Sequence, residues 1–392
     1  MRRTILSLSL AVAATLVATA AVSDRPIAFG DPVRGLTAQQ NDAFVDGKND
    51  FAEVESVADG LGPVFNGRSC AECHSVPAIG GGSERTVTRF GTTTNGQFDP
   101  LAQFGGSLIQ DHAITKADGT SHDFAPETVP AAATITAHRR TPPLFGLGYV
   151  DAVPDGDFSA LAALEAQRSP STAGRVNMVF NVVTGTTTAG KFGWKSQVPS
   201  LLVFSGDAYL NEMGITNPLF PNENCPNGDC KQLKWNPRPD MNDLGDGVTA
   251  FNNFMTFLGA PPRGAVTADV NAGEQVFGTI GCTACHTPTL HTGHSDVAAF
   301  DNVPFHPYSD FLIHDMGPLG DGIAMGQASG REFRTAPLWG LRMITRFLHD
   351  GRAATLDAAI LGHDGQGRAA RDAFAALDAG SRAKLMAFLN SL

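Results

Sequence analysis

A chain of 392 residues exceeds one ordinary domain and fits two, each long enough to bury its own core. Its 28 Lys+Arg against 39 Asp+Glu give a formal charge of −11, which argues against a nucleic-acid partner, while 42% hydrophobic content argues against disorder. Only 17% of residues are charged, Gly and Pro number 43 and 24, and six cysteines are too few for a disulfide scaffold of this size.

In chain order, Arg2 and Arg3 precede an apolar run from Ile5 to Val22, with small residues at Ala18-Thr19-Ala20. This pattern predicts a signal peptide over residues 1–20, a periplasmic mature protein and no membrane span after processing. An uncleaved anchor is the competing reading, because the run approaches the roughly 20 residues that cross a bilayer. Next comes Cys70-Ala71-Glu72-Cys73-His74, which returns as Cys282-Thr283-Ala284-Cys285-His286. C-x-x-C-H is the attachment motif of c-type haem: two thiols three residues apart reach both porphyrin vinyl groups, and the following imidazole meets the iron. The sequence therefore predicts two covalently bound haem c groups on Cys70, Cys73, Cys282 and Cys285, with His74 and His286 as axial ligands. The remaining pair, Cys225 and Cys230, flanks Pro-Asn-Gly-Asp, turn chemistry that favours a disulfide over a redox-active pair.

Each motif opens a similar unit. Phe65 and Phe277 stand five residues before Cys70 and Cys282, and Arg140-Thr141-Pro142-Pro143-Leu144-Phe145-Gly146-Leu147 matches Arg334-Thr335-Ala336-Pro337-Leu338-Trp339-Gly340-Leu341. Asp155-Gly156 and Asp350-Gly351 follow, then Ala/Leu helices near 159–167 and 355–361. The chain reads as a duplicated haem domain broken at Gly259–Gly264: an N-terminal haem c domain over 21–264 with inserted loops, and a second over 265–392. The expected fold class is mainly α, two c-type cytochrome domains with little β and with long loops that suit the abundant Gly and Pro. In the second repeat Leu356, Ala359, Ile360 and His363 recur at i, i+3, i+4 and i+7, which would bring His363 to the second haem as its other axial ligand. The counterpart in the first repeat is Arg168, which stays protonated and cannot ligate iron. Met316 is an alternative ligand at the second haem, and His112, His122, His138 and Met213 are candidates at the first.

These features together resemble the di-haem oxidoreductase family, related to bacterial di-haem cytochrome c peroxidases and to MauG. The carriers are Phe65-Asn66-Gly67-Arg68-Ser69, the Arg140–Gly148 stretch, Phe192-Gly193-Trp194-Lys195, Met213–Pro218, Pro307–Asp310 with His314–Gly317, and Phe333–Arg352. The resemblance again puts the distal ligand at His363, after His349-Asp350-Gly351. It implies a catalytic Glu212, in Glu212-Met213-Gly214, as acid–base at the open haem, although the spacing around this motif departs from the peroxidases. It further implies hydrogen peroxide as substrate, a small c-type cytochrome as electron donor, and calcium at a loop such as Asp240–Asp246. Trp194 or Trp339 would assist electrons between domains. Two readings of other classes stand beside the peroxidase: an electron-transfer cytochrome with both irons six-coordinate, and a MauG-like oxidant of another protein.

Overall fold

The computed structural model describes residues 26–392, so the signal peptide expected over 1–20 lies outside the described residues. Two helix pairs frame the molecule. Thr37 caps the helix Ala38–Ala52, its hydroxyl accepting from the Gln40 amide while the Gln40 side chain accepts from Thr37 N. This helix crosses Asp246–Phe257, whose Val248, Phe251, Phe254 and Met255 recur on one buried face. Further on, Thr267 caps Ala268–Thr279 and Asp378 caps Ala379–Leu389, and these two helices pack together in the same way.

Both crossings rest on a glycine. A Cβ on Gly47 would lie 2.2 Å from Ala250 O, and one on Gly273 would lie 2.0 Å from Lys384 O, so neither backbone could approach past a methyl group. One turn beyond each glycine stands a phenylalanine. The Phe51 ring is 4.8 Å from Phe254 and 6.1 Å from the His74 ring; the Phe277 ring is 5.2 Å from Phe388 and 6.1 Å from His286. The spatial counterpart of Phe277 is therefore Phe51, not Phe65, whose position five residues before Cys70 is a coincidence of spacing. Phe65 instead lies in a short strand, Val64–Phe65, paired with His112–Ala113.

The mainly-α expectation is corrected by the strands. Helix accounts for 35% and strand for 15% of the chain, with five small antiparallel sheets among the described residues. The largest lies in the region read as inserted loops. The Thr-rich, β-branched stretch Thr86–Thr94 pairs with Gln97–Asp99 on one side and Ile135–Arg140 on the other. A second sheet joins Ile313–Asp315 to Glu332–Arg334. Arg140 and Arg334, matched in the sequence repeat, are thus each the last residue of a strand.

The cores do not divide where the linker lies. Residues 259–267 run without regular structure between the two helix pairs. Yet Phe300, Phe305, Phe311, Leu312 and Trp339, all beyond the linker, belong to the core built on the first pair. A smaller core surrounds the second pair, around Phe277, Tyr308, Leu385 and Phe388. Ion pairs also cross: Arg139 and the fully buried Lys195 both meet Asp321, and Lys195 donates to Ser329 O and Glu332 O. No helix among the described residues is long and apolar enough to cross a membrane.

Candidate functional site

Each C-x-x-C-H begins as a single helical turn. Ser69 caps the first at Cys70–Cys73, its hydroxyl accepting from Glu72 N; the second, Cys282–Ala284, follows Gly281 in the left-handed conformation at φ 88°. The turn closes with His74 N donating to Cys70 O and His286 N to Cys282 O, which sets each histidine directly after its cysteines. Burial raises all four thiol pKa values, so the thiols are held neutral, Cys73 at about 11 and Cys282 at about 12.

The imidazoles are the most informative groups. His74 Nδ1 bonds Gly81 O at 3.1 Å, His286 Nδ1 bonds Tyr308 O at 2.9 Å and His363 Nδ1 bonds Ala359 O at 2.8 Å. A carbonyl accepts only, so each Nδ1 must carry the hydrogen, and Nε2 is left with its lone pair. Burial also lowers all three pKa values, to about 4 for His74 and His286, which keeps the rings neutral. Among the described residues, which include all eleven histidines, no Nδ1 besides these three is tied to a main-chain carbonyl. His112 bonds Asp111 and His138 bonds Thr88, both exposed, and the half-buried His122 stacks on Trp235, while Met213 is packed in the first core.

A cavity of about 750 Å³ adjoins the second motif, within the roughly 300–1,000 Å³ typical of cofactor sites. Cys282, Cys285 and His286 line it from one side; Leu356, Ala359, Ile360 and His363 line it from the helix Leu356–Leu361 and the turn after it. Met316 lines it too, without the anchored geometry of His363. Segments from before the linker supply much of the remaining wall: Arg140–Leu147, Arg168–Thr172 and Phe192–Trp194. Arg168, the counterpart of His363, ends the helix Asp155–Arg168 and thereby borders the second cavity, not the first motif. Four arginines line the cavity and no carboxylate does, which suits an apolar, dianionic cofactor such as haem. Cys285, Asp310 and His314 also lie close enough to hold a metal ion, with His314 Nε2 2.9 Å from Asp310 Oδ2 and Nδ1 3.4 Å from Cys285 Sγ. The adjoining cavity and the neighbouring Cys282 and His286 fit a porphyrin better than a bare ion.

Glu212 reaches the first motif. It closes the helix Leu201–Met213, where Gly214 adopts φ 67°, and its main-chain carbonyl accepts from Asn66 N and Gly67 N. Its Oε2 accepts from Asn66 Nδ2 at 2.8 Å, and burial raises its pKa. In the loop offered for calcium, Asp243 is engaged otherwise: its carboxylate accepts from Gly247 N and Val248 N and caps the helix beginning at Asp246. Among the described residues, no cluster of three potential metal donors forms in that loop. Cys225 and Cys230 form a disulfide. Trp339 touches both the second cavity and a smaller one of about 240 Å³, which lies against the loop following His74.

Two features carried no functional reading in the sequence. One is the wall that the first half builds around the second cavity, legible only as family-like segments. The other is the burial of Arg140 and Arg334, each 8% exposed; the repeat flagged both positions without saying why a cation belongs there.

The model of the family described as "Di-haem oxidoreductase, putative peroxidase" matches residues 131–392. The chain belongs to this family. As a di-haem oxidoreductase it carries the second motif inside the matched span and the first motif ahead of it. No curated protein matches it in sequence. Among solved structures, a Kuenenia stuttgartiensis hydrazine synthase (determined under 20 bar xenon) is 15% identical, with a TM-score of 0.39, covering 98% of this chain and all of that one. A MauG-like protein associated with microbial copper homeostasis is 14% identical, also with a TM-score of 0.39, covering 94% of each chain. At those values neither likeness bears on this chain's chemistry.

Proposed function

We propose that this di-haem oxidoreductase is an exported, periplasmic c-type cytochrome that reduces hydrogen peroxide with electrons from a small c-type donor. The observation that carries the reading is the selection among histidines. The three residues expected from sequence to meet iron, His74, His286 and His363, are the three whose Nδ1 is fixed on a carbonyl, which leaves the lone pair on Nε2. Cys70, Cys73, Cys282 and Cys285 would hold the two porphyrins as thioethers.

When bound, the haems supply one-electron carriers, which match a donor delivering single electrons to a two-electron reduction of peroxide. His286 and His363, which both line the second cavity, would hold the second haem, and electron relay is the chemistry it would supply there. His74 would hold the first haem from one side. Among the described residues no further histidine shares its preparation, and the first haem would supply the site for peroxide. Glu212 would take a proton from peroxide and return it to the leaving oxygen, so that H₂O₂, two electrons and two protons end as two waters.

The test is peroxide consumption by the purified holoprotein with and without a reduced c-type cytochrome, read beside EPR of the oxidised and half-reduced states. The expected result is donor-dependent consumption with one high-spin or labile haem. Two haems that stay low-spin after half-reduction, with no peroxide consumed, would leave an electron-transfer cytochrome instead. Consumption that needs another protein as reductant would favour the MauG-like reading. His363→Ala should change the spectrum of one haem only; an unchanged spectrum refutes its assignment.

A further inference from the structure

Arg140 and Arg334 occupy the same place in the two repeats, each ends a strand, and both line the second cavity. Each is 8% exposed. Among the described residues neither is in an ion pair, although Asp310 acts on Arg334 and Glu84 on Arg140 from farther off. Arg334 spends Nε on Gly193 O at 2.8 Å and Nη1 on Thr335 O at 3.4 Å; Arg140 spends Nη1 on Arg346 O at 2.7 Å. Nη2 of both bonds no described residue, and Arg140 Nε is buried without a partner. The other cavity arginines differ: Arg371 is paired with Asp364 and Asp372, and Arg168 is exposed.

A guanidinium cannot shed its charge at ordinary pH, so two buried ones without a directly paired anion are costly unless a ligand brings one. Carbonyl acceptors position both forks but neutralise neither. Burial pushes the Arg334 pKa down to about 10 and the Arg140 pKa in the same direction; the fields of Asp310 and Glu84 oppose the two shifts without cancelling them, as expected where no carboxylate is paired directly with either fork. Haem carries two carboxylates, and a guanidinium fork matches a carboxylate in shape as well as charge.

We propose that Arg140 and Arg334 bind the carboxylates of the C-terminal haem, so that the N-terminal half of the chain supplies one of the two charges that set that haem's potential. The inference rests on the haem reading of the cavity.

Arg334→Gln and Arg140→Gln, each made in the full-length holoprotein, test this by potentiometric titration of both haems at several pH values. A nearby cation favours the reduced haem. Each substitution should therefore lower the midpoint potential of the C-terminal haem. The fall should grow with rising pH as the uncompensated carboxylate ionises, and Arg334→Lys should restore much of it. Potentials that neither fall nor gain pH dependence overturn the proposal. Pyridine haemochrome spectra separate this from the parent reading: fewer than two haems per unsubstituted chain sinks the haem assignment, whereas two haems with unmoved potentials sink the arginine assignment alone. Should the variants not fold, infrared spectra of the unsubstituted protein with ¹³C-labelled haem carboxylates decide. Carboxylates that stay ionised well below the usual range support the pairing, and carboxylates titrating in that range overturn it.

Discussion

At the scale of single residues, Glu212 offers the sharpest prediction. Its pKa is raised by burial, with Asp207 and Asp111 adding to the rise and the bond from Asn66 and the field of Arg89 opposing it. The base form of Glu212 therefore disappears at a higher pH than an ordinary carboxylate's would. Peroxide turnover should fall on acidification through that raised midpoint. Glu212→Gln should remove this acid limb and cost about 10²–10⁴-fold in peroxide turnover, measured as initial rates across pH. A glutamine carbonyl can still accept from Asn66 Nδ2, so circular dichroism should show an unchanged fold. The residues that sequence revealed most directly are those whose chemistry is local: four cysteines and two histidines lie inside a five-residue pattern. His363 needed a helical face and a duplicated partner. Arg140 and Arg334 stood in plain view as a repeat, but a missing counter-ion is a property of three-dimensional surroundings and has no sequence signal.

At the scale of elements, the paired helices depend on their glycines more than on their propensities. Alanine normally favours a helix over glycine by roughly 1 kcal/mol. Here the added methyl would stand 2.2 Å or 2.0 Å from a carbonyl of the facing helix, and backbone cannot yield as a flexible side chain can. Gly47→Ala and Gly273→Ala should each destabilise the protein, by roughly 1–3 kcal/mol in denaturant unfolding. A neutral or stabilising result would mean that the crossings are looser than described. The paired helices carry capping residues at Thr37, Thr267 and Asp378, but the helices read from the sequence were those near 159–167 and 355–361. The sheet of Thr86–Thr94 and Ile135–Arg140 was not readable there, because its long separation in sequence hides the pairing and its strands alternate weakly in polarity. The match of Phe65 with Phe277 failed for a related reason: distance from the cysteines is not kept between the repeats, whereas distance from the helix-crossing glycine is.

At the scale of the whole molecule, the charge of −11 has a kinetic consequence. Attraction to a basic electron donor is long-ranged and screened by salt, with a Debye length near 8 Å at physiological ionic strength. The second-order rate of oxidation of a basic c-type cytochrome should fall steadily as ionic strength rises, in stopped-flow measurements. A rate indifferent to salt would place donor recognition on apolar contacts instead. Length fits two units, and the low charged fraction suits apolar walls. They could not show that one unit's walls are built from the other's chain.

That shared wall has a meaning for the chain's integrity. A protease cutting within residues 259–267 would sever the covalent link, but Phe300 to Leu312 would remain seated in the first core and Lys195 would still hold the carbonyls of Ser329 and Glu332. The two fragments should therefore co-elute in size-exclusion chromatography at the volume of the intact protein and part only in denaturant. Fragments that separate under native conditions would contradict this. In genetic terms, the second haem unit is no longer a portable module: copied alone into another chain, it would arrive with one side of its pocket left behind.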